Sequence, residues 1–142
     1  MTPAVGDRMP ETSRRITLTD MVVYAGATWD WHRMHYDYEF ARIRGLPAPI
    51  VDGQMFGALL VKALQDWLGP VCFVEQLDFT FRNLMFPGEE ITIGGVVREV
   101  AGAKVTVDLT VTIGASEYGA ERPAVAPASA VVWTDRIDGV VP

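Results

Sequence analysis

The longest regular pattern in the chain is helical and runs from Gly53 to Leu68. Apolar side chains occupy almost the whole circumference of this segment, which is typical of a buried helix. Glycine and proline at positions 69 and 70 end the pattern, as they commonly do after a helix. Only a narrow stripe of this predicted core helix is polar, and it consists of Gln54, Lys62, Gln65 and Asp66.

After this helix the apolar period changes to two residues, which indicates β-strands. The clearest alternation runs over 104–113, where valine, leucine or isoleucine fills every second position. Short connections, including a tight turn at Ala101-Gly102, predict that successive strands are antiparallel neighbours. The other predicted strands cover 73–81, 91–100 and 125–134.

The region before the long helix has weaker signals. Residues 1–13 show no period and are predicted to be a loose lead-in. A short helix is predicted over 21–28, with Thr19 or Asp20 as its N-cap, and Asp37 is predicted to cap a further helical turn.

These elements predict an α+β domain in which one long central helix is wrapped by an antiparallel sheet of at least four strands. No linker or repeat divides the 142 residues, so 1–142 is interpreted as one domain. Such a sheet has open edges and a large apolar face, and we expect a second subunit to cover part of it.

Composition and charge narrow the function classes. A net charge of −6 argues against a broad basic face for nucleic acid. The longest apolar run, Met55–Val61, is too short to cross a bilayer, and the N-terminal residues lack the apolar stretch of a signal peptide. The single cysteine, Cys72, excludes an internal disulfide and fits a reducing compartment. We therefore expect a cytoplasmic protein with neither a membrane nor a nucleic-acid partner.

Candidate chemistry is concentrated around Asp30. Both histidines, His32 and His35, lie within five residues of it. A carboxylate and an imidazole held together can share one water and take its proton, although the same spacing also occurs in solvated surface loops. Zinc is an alternative for Asp30, His32, His35 and Asp37, but a second, distant ligand pair is missing, so neither a metal nor another cofactor is predicted.

The start of the long helix is the second candidate feature. A helix N-terminus has free N–H groups and a partial positive charge, and glycine there lets a ligand approach the backbone. Gly53 is therefore suited to a developing oxyanion. The alternative interpretation is purely structural, with Asp52 capping the helix and Gly53 opening a packed one.

Both features lie in segments that resemble one family. Residues 24–37, which read YAGATWDWHRMHYD, resemble the signature of the MaoC-like (R)-specific enoyl-CoA hydratases and dehydratases. Residues 48–55 resemble the family's approach to its central helix, and 79–82 and 86–89 resemble its later strand and turn. The resemblance implies the hotdog fold, a long helix wrapped by an antiparallel sheet and usually paired into dimers.

The resemblance also implies residue roles. Asp30 and His35 stand at the catalytic aspartate and histidine, and Gly53 stands at the glycine whose N–H polarises the thioester carbonyl. The implied reaction is reversible hydration of a trans-2-enoyl-CoA, or a related acyl thioester, to a 3-hydroxyacyl thioester. No cofactor is implied, and the implied assembly is a homodimer or a hetero-oligomer with another hotdog subunit.

The chain departs from the family pattern around these residues. Trp29 replaces a glycine, His32-Arg33 replaces Asn-Pro, and Asp52 replaces the histidine before the helix. These changes concern substrate choice, and Trp29 and Trp31 are interpreted either as a wall for a bulky acyl group, such as a steroid side chain, or as packing. Predicted substrate-binding residues are Trp29, Trp31, Asp52, Gln54 and Arg82, with Arg33 and Arg44 as further candidates for the CoA phosphates.

Two alternatives stay open. A hotdog acyl-CoA thioesterase needs a carboxylate aimed at the carbonyl carbon, and Asp52 is better placed for this than Asp66, which lies near the far end of the helix. The chain is alternatively a subunit of a hetero-oligomeric hydratase that completes a partner's substrate tunnel.

Overall fold

The computed structural model describes residues 3–135. The predicted domain range 1–142 therefore includes 1–2 and 136–142, which lie outside the described residues. Eight helices and strands and one short 3-10 helix follow one another in the described part of the chain. They are β1 (Arg8–Arg15), α1 (Leu18–Thr28), the 3-10 helix (Arg33–His35), α2 (Tyr38–Ile43), α3 (Gly53–Leu68), β2 (Phe73–Phe81), β3 (Glu90–Ala101), β4 (Lys104–Ile113) and β5 (Arg122–Trp133).

The five strands form one antiparallel sheet in the order β1-β3-β4-β5-β2. The predicted α+β class is confirmed, as are the neighbouring pairs β3–β4 and β4–β5. The expected pairing of β2 with β3 is wrong, because β2 lies at the opposite edge and pairs with β5. Segment 82–89 carries the chain across the sheet, and alternation within a strand contains no information about such a crossing.

The N-terminal segment also differs from expectation. Residues 8–15 are not a loose lead-in but an edge strand, with Arg8 opposite Val96 and Arg15 opposite Glu90. Met9 is the only residue of this strand that is buried. A strand with one apolar contact and no alternation cannot be recognised by its period.

Helix α3 has the predicted bounds and provides one side of the core. Its buried face packs with the inward side chains of β4 in a single hydrophobic cluster, and the polar residues Gln54, Lys62, Gln65 and Asp66 are exposed as predicted. The core residues of this face are Met55, Phe56, Leu60, Ala63 and Leu64. Among residues 3–135, no helix combines the length and apolar character needed to span a membrane.

Side-chain caps set where the two shorter helices, α1 and α2, begin. Helix α1 begins one turn earlier than predicted, because Thr17 is its N-cap. The Thr17 hydroxyl accepts from Asp20 N, and the Asp20 carboxylate accepts from Thr17 N, which is a capping box. Asp37 caps α2 by accepting from Phe40 N, as predicted.

Candidate active site

Three polar side chains from three segments meet at one place. Asp30, His35 and Asp52 each present a carboxylate oxygen or ring nitrogen, and these atoms all lie within 4.8 Å of one another. The sequence spacing predicts that Asp30 and His35 act as a pair, and the structure brings the two side chains together. Asp52 joins them as a third group, which its position next to the helix did not reveal.

Asp30 owes its position to the end of α1. The residue before it, Trp29, is the C-cap and has the left-handed conformation, with φ 59° and ψ 26°. This conformation reverses the chain direction, so Asp30 leaves the helix axis. One oxygen of Asp30 accepts from His32 N at 3.2 Å. The side chain is otherwise exposed in the single subunit.

His35 is oriented by the backbone at Ile50. Ile50 donates its N–H to Met34 O at 2.9 Å, and its carbonyl oxygen lies 2.9 Å from His35 Nδ1. A carbonyl oxygen can only accept, so Nδ1 carries a hydrogen in this contact. The ring nitrogen left for chemistry is Nε2. Ile50 thus orients the imidazole and accounts for the hydrogen on Nδ1.

Asp52 and Gly53 lie two and three residues further on, at the start of α3. Asp52 is the N-cap and accepts from Gln54 N at 2.9 Å, while the preceding Val51 donates its N–H to Met85 O at 2.8 Å. As the first residue of the helix, Gly53 has no carbonyl one turn earlier inside the helix to accept from its N–H. The sequence therefore places a free amide donor beside Asp52.

Glycine at position 53 also leaves room for a neighbouring phenyl ring. A Cβ at Gly53 would lie 2.5 Å from Phe81 Cε1, far inside the contact distance. One turn later, a Cβ at Gly57 would lie 3.2 Å from Phe79 Cε1. The first turns of α3 thus lie directly against the phenyl rings of β2.

A tyrosine lies near these acidic groups. Tyr24 of α1 is half-buried, and burial, followed by the negative charge of Asp52, raises its pKa. Its hydroxyl therefore stays protonated at neutral pH and is available as a donor. The influence of Asp52 on Tyr24 is a finding of the structure.

The two predicted tryptophans flank Asp30. Trp29 is 79% exposed. Its ring packs edge to face against that of Trp31, with the ring centroids 5.9 Å apart. The Trp31 ring in turn packs edge to face against that of Tyr36, with the ring centroids 6.1 Å apart. The Tyr36 hydroxyl also donates a hydrogen bond to the backbone carbonyl of Trp31. These three residues, Trp29, Trp31 and Tyr36, form what we call the aromatic wall.

The remaining predicted binding residues are placed differently. Gln54 contributes its N–H to the Asp52 cap, and its side chain is exposed. Arg82 is bound to β5, where its Nε donates to Ala126 O and its N–H to Ala124 O. Arg33 precedes α2 in the sequence and Arg44 follows it. The guanidinium Cζ atoms of Arg33 and Arg44 lie over the Phe40 ring, 4.9 and 5.0 Å from its centroid.

The zinc set weighed from the sequence does not form. His32 Nδ1 accepts from Met34 N. Asp37 accepts from Phe40 N and from the guanidinium of Arg33, and these bonds together lower the pKa of Asp37. Asp30, His35 and Asp52 are the residues whose chemistry suits a divalent cation in the described part of the chain.

Known proteins resemble this chain in sequence and in fold. Residues 3–118 match the sequence pattern of the MaoC-like domain. The chain belongs to the MaoC-like domain family. A mitochondrial 3-hydroxyacyl-[acyl-carrier-protein] dehydratase of Arabidopsis thaliana is 30% identical over 97 residues, which are 68% of this chain and 56% of the plant protein. The chain therefore spans little more than half the length of that relative.

Solved structures show the same fold. The (R)-hydratase from A. caviae superposes with a TM-score of 0.81 at 24% identity, covering 92% of this chain and 96% of that one. The ChsH1-ChsH2 complex from Mycobacterium tuberculosis gives 0.81 at 22% identity, covering 94% and 98%. The fold of this MaoC-like chain is the hotdog fold, as the sequence resemblance predicted.

Proposed function

We propose that this MaoC-like chain catalyses the reversible hydration of a trans-2-enoyl thioester to a 3-hydroxyacyl thioester. The observation that carries the proposal is the convergence of Asp30 and His35 beside the first amide of α3. A water-activating pair next to a free amide at a helix N-terminus is suited to adding water across a double bond conjugated to a carbonyl. Membership of the family supports the same reaction.

In this mechanism, Gly53 N–H binds the thioester oxygen. The amide and the helix N-terminus draw electrons from the double bond and stabilise the enolate that forms when C3 is attacked. Asp30 and His35 hold the water; one of them takes its proton as the oxygen adds to C3, and C2 is protonated on the same face. Dehydration follows the same steps in reverse.

We propose a CoA thioester with a bulky acyl group as the substrate. The aromatic wall supports this, because two large rings stand exposed directly beside Asp30. A flat or branched acyl group would bury that surface. The plant relative is named for an acyl-carrier-protein substrate, so both carriers belong in the test.

We also propose that the chain works with a second hotdog subunit. Phe73 and Phe81 of the edge strand β2 are each about half exposed, and Asp30 is open to solvent in the single subunit. One similar structure is a complex of two chains, ChsH1 and ChsH2. A second subunit on this side would cover apolar surface and complete a substrate channel.

The test is a panel of trans-2-enoyl thioesters, from short-chain to polycyclic, on CoA and on acyl-carrier protein, followed by loss of the conjugated-enoyl absorbance. Size measurement in solution, with and without a second hotdog chain from the same source, identifies the assembly. We expect hydration of a bulky enoyl-CoA. Hydration of none of the panel, with or without a partner, would refute the proposal.

A thioesterase is the second candidate, because Asp52 lies beside His35. Release of free CoA from a saturated acyl-CoA would favour it. We rank the thioesterase lower because a second carboxylate, Asp30, lies opposite Asp52. Two carboxylates are better arranged to hold a water at a double bond than to attack a carbonyl carbon.

A further inference from the structure

The position of Asp52 bears on how the water is held. Three atoms that lie no more than 4.8 Å apart all fall within about 2.8 Å of a common centre, which is ordinary hydrogen-bond distance. A single water at this centre can therefore contact Asp30, His35 and Asp52 together. Nothing in the spacing of Asp30 and His35 requires such a third group.

We propose that Asp52 is a third catalytic residue, which holds the attacking water together with Asp30 and leaves His35 to protonate C2. This inference rests on the proposed hydration reaction. It goes further by assigning the acid and the base.

The assignment follows from counting hydrogens. A water has two, and the two carboxylates, which only accept, engage both. His35 Nδ1 already donates to Ile50 O, so Nε2 is the ring nitrogen that remains to contact the water. With no hydrogen of the water left to accept, Nε2 can contact the water oxygen only as a donor. His35 is then the group with a proton to give.

The step balances. The water oxygen forms a bond to C3, and the hydrogen it loses passes to the Asp30 carboxylate. The electron pair of the double bond moves to C2, which takes the hydrogen from His35 Nε2. Proton transfer from Asp30 back to His35 restores the starting state, while Asp52 keeps its negative charge throughout. Tyr24 and His32 are the other titratable groups close by.

Two substitutions separate this role from helix capping. Asp52→Asn and Asp52→Ser both preserve an N-cap acceptor for Gln54 N, so the free energy of unfolding should change little. In Asp52→Asn the side-chain amide brings donor hydrogens to the water site. In Asp52→Ser the side chain is too short to reach the water. Asp66→Asn, at the far end of the same helix, is the matched control.

We expect Asp52→Asn and Asp52→Ser to lower kcat for hydration about 10- to 100-fold with KM nearly unchanged, and Asp66→Asn to keep full activity. Full kcat in Asp52→Asn, with an active wild-type enzyme, would overturn the role of Asp52 while the proposed reaction stands. A wild-type enzyme inactive on every thioester would instead remove the proposed reaction.

Two further measurements test the role of Asp52 and do not depend on an activity assay. A high-resolution crystal structure should show one water in contact with all three side chains, and this water should be displaced in Asp52→Asn. Nitrogen NMR should show hydrogen on both ring nitrogens of His35, in a chain with only two histidines. Absence of that water from the wild-type protein, or a bare Nε2 with the water in place, would contradict the proposal.

Discussion

Two carboxylate sites in this protein are built in opposite ways. Glu89 is 1% exposed and accepts from Arg122 Nη2 with both oxygens, at 3.0 and 2.8 Å, as well as from Phe86 N and Ser116 Oγ. Asp30 is exposed, and only His32 N is found bound to it among residues 3–135. The first carboxylate has its lone pairs occupied, whereas the second keeps them available.

The two carboxylates have different roles because their surroundings differ. Burial, the strongest influence on Glu89, raises its pKa, but the bonds from Arg122, Ser116 and Phe86 and the charge of Arg122 lower it overall. A buried charge satisfied in this way fixes the chain between β2 and β3, the same segment whose Met85 O binds Val51 N. Glu89 is therefore structural, whereas the carboxylates beside His35 are the ones that the proposed hydration uses.

The sharpest test of this contrast is removal of the reacting groups. Asp30→Asn and His35→Ala should each lower kcat for hydration about 100- to 10,000-fold, because each removes a group that transfers a proton in the proposed mechanism. The free energy of unfolding should change by less than about 1 kcal/mol, since neither side chain is in the core. Steady-state kinetics and urea denaturation check this. Near-normal turnover in either variant would remove that residue from the mechanism.

Glu89 should show the reverse. Glu89→Gln leaves the Arg122 charge buried without its partner, and we expect a loss of about 3–5 kcal/mol in the free energy of unfolding at pH 7. Urea denaturation measures it. The control is Glu75→Gln, which breaks the exposed pair with Lys104 and should cost at most about 1 kcal/mol. Equal losses in the two variants would contradict the comparison.

The same variant has a pH signature. The pKa of Glu89 is lower in the folded protein than its ordinary value of 4.5, so its stabilisation is present above that value. It is lost as the pH falls through the folded-state pKa. The loss of stability in acid should therefore be smaller in Glu89→Gln than in the wild-type protein.

The smallest effect concerns Trp29, at the edge of the reacting site. A left-handed conformation strains any residue with a Cβ, so Trp29→Gly should be more stable than Trp29→Ala by about 1 kcal/mol. Both should lower kcat/KM for a bulky acyl group by about tenfold, because both remove the exposed ring. Thermal unfolding and the substrate panel test the two parts separately. Equal stability of Trp29→Gly and Trp29→Ala would contradict the expected backbone strain at position 29.

The sequence predicted what short-range patterns encode. Helix α3 and strand β4 carry strong periods, and their bounds are as expected. Strand β1 has one buried residue and no period, and the place of β2 beside β5 depends on a crossing that no local pattern records. Asp30 and His35 are five residues apart and were found together. Asp52 joins them only because Ile50 returns to Met34, and Arg122 reaches Glu89 across 33 residues.

Ile50 governs the site through its peptide groups alone. Its N–H and carbonyl oxygen are both engaged by the 3-10 helix, and neither bond involves the isoleucine side chain. Many side chains at position 50 would preserve this junction, because they leave both peptide groups in place. Proline is the exception, because it has no N–H to donate to Met34 O, so the junction constrains the backbone at position 50 rather than the side chain.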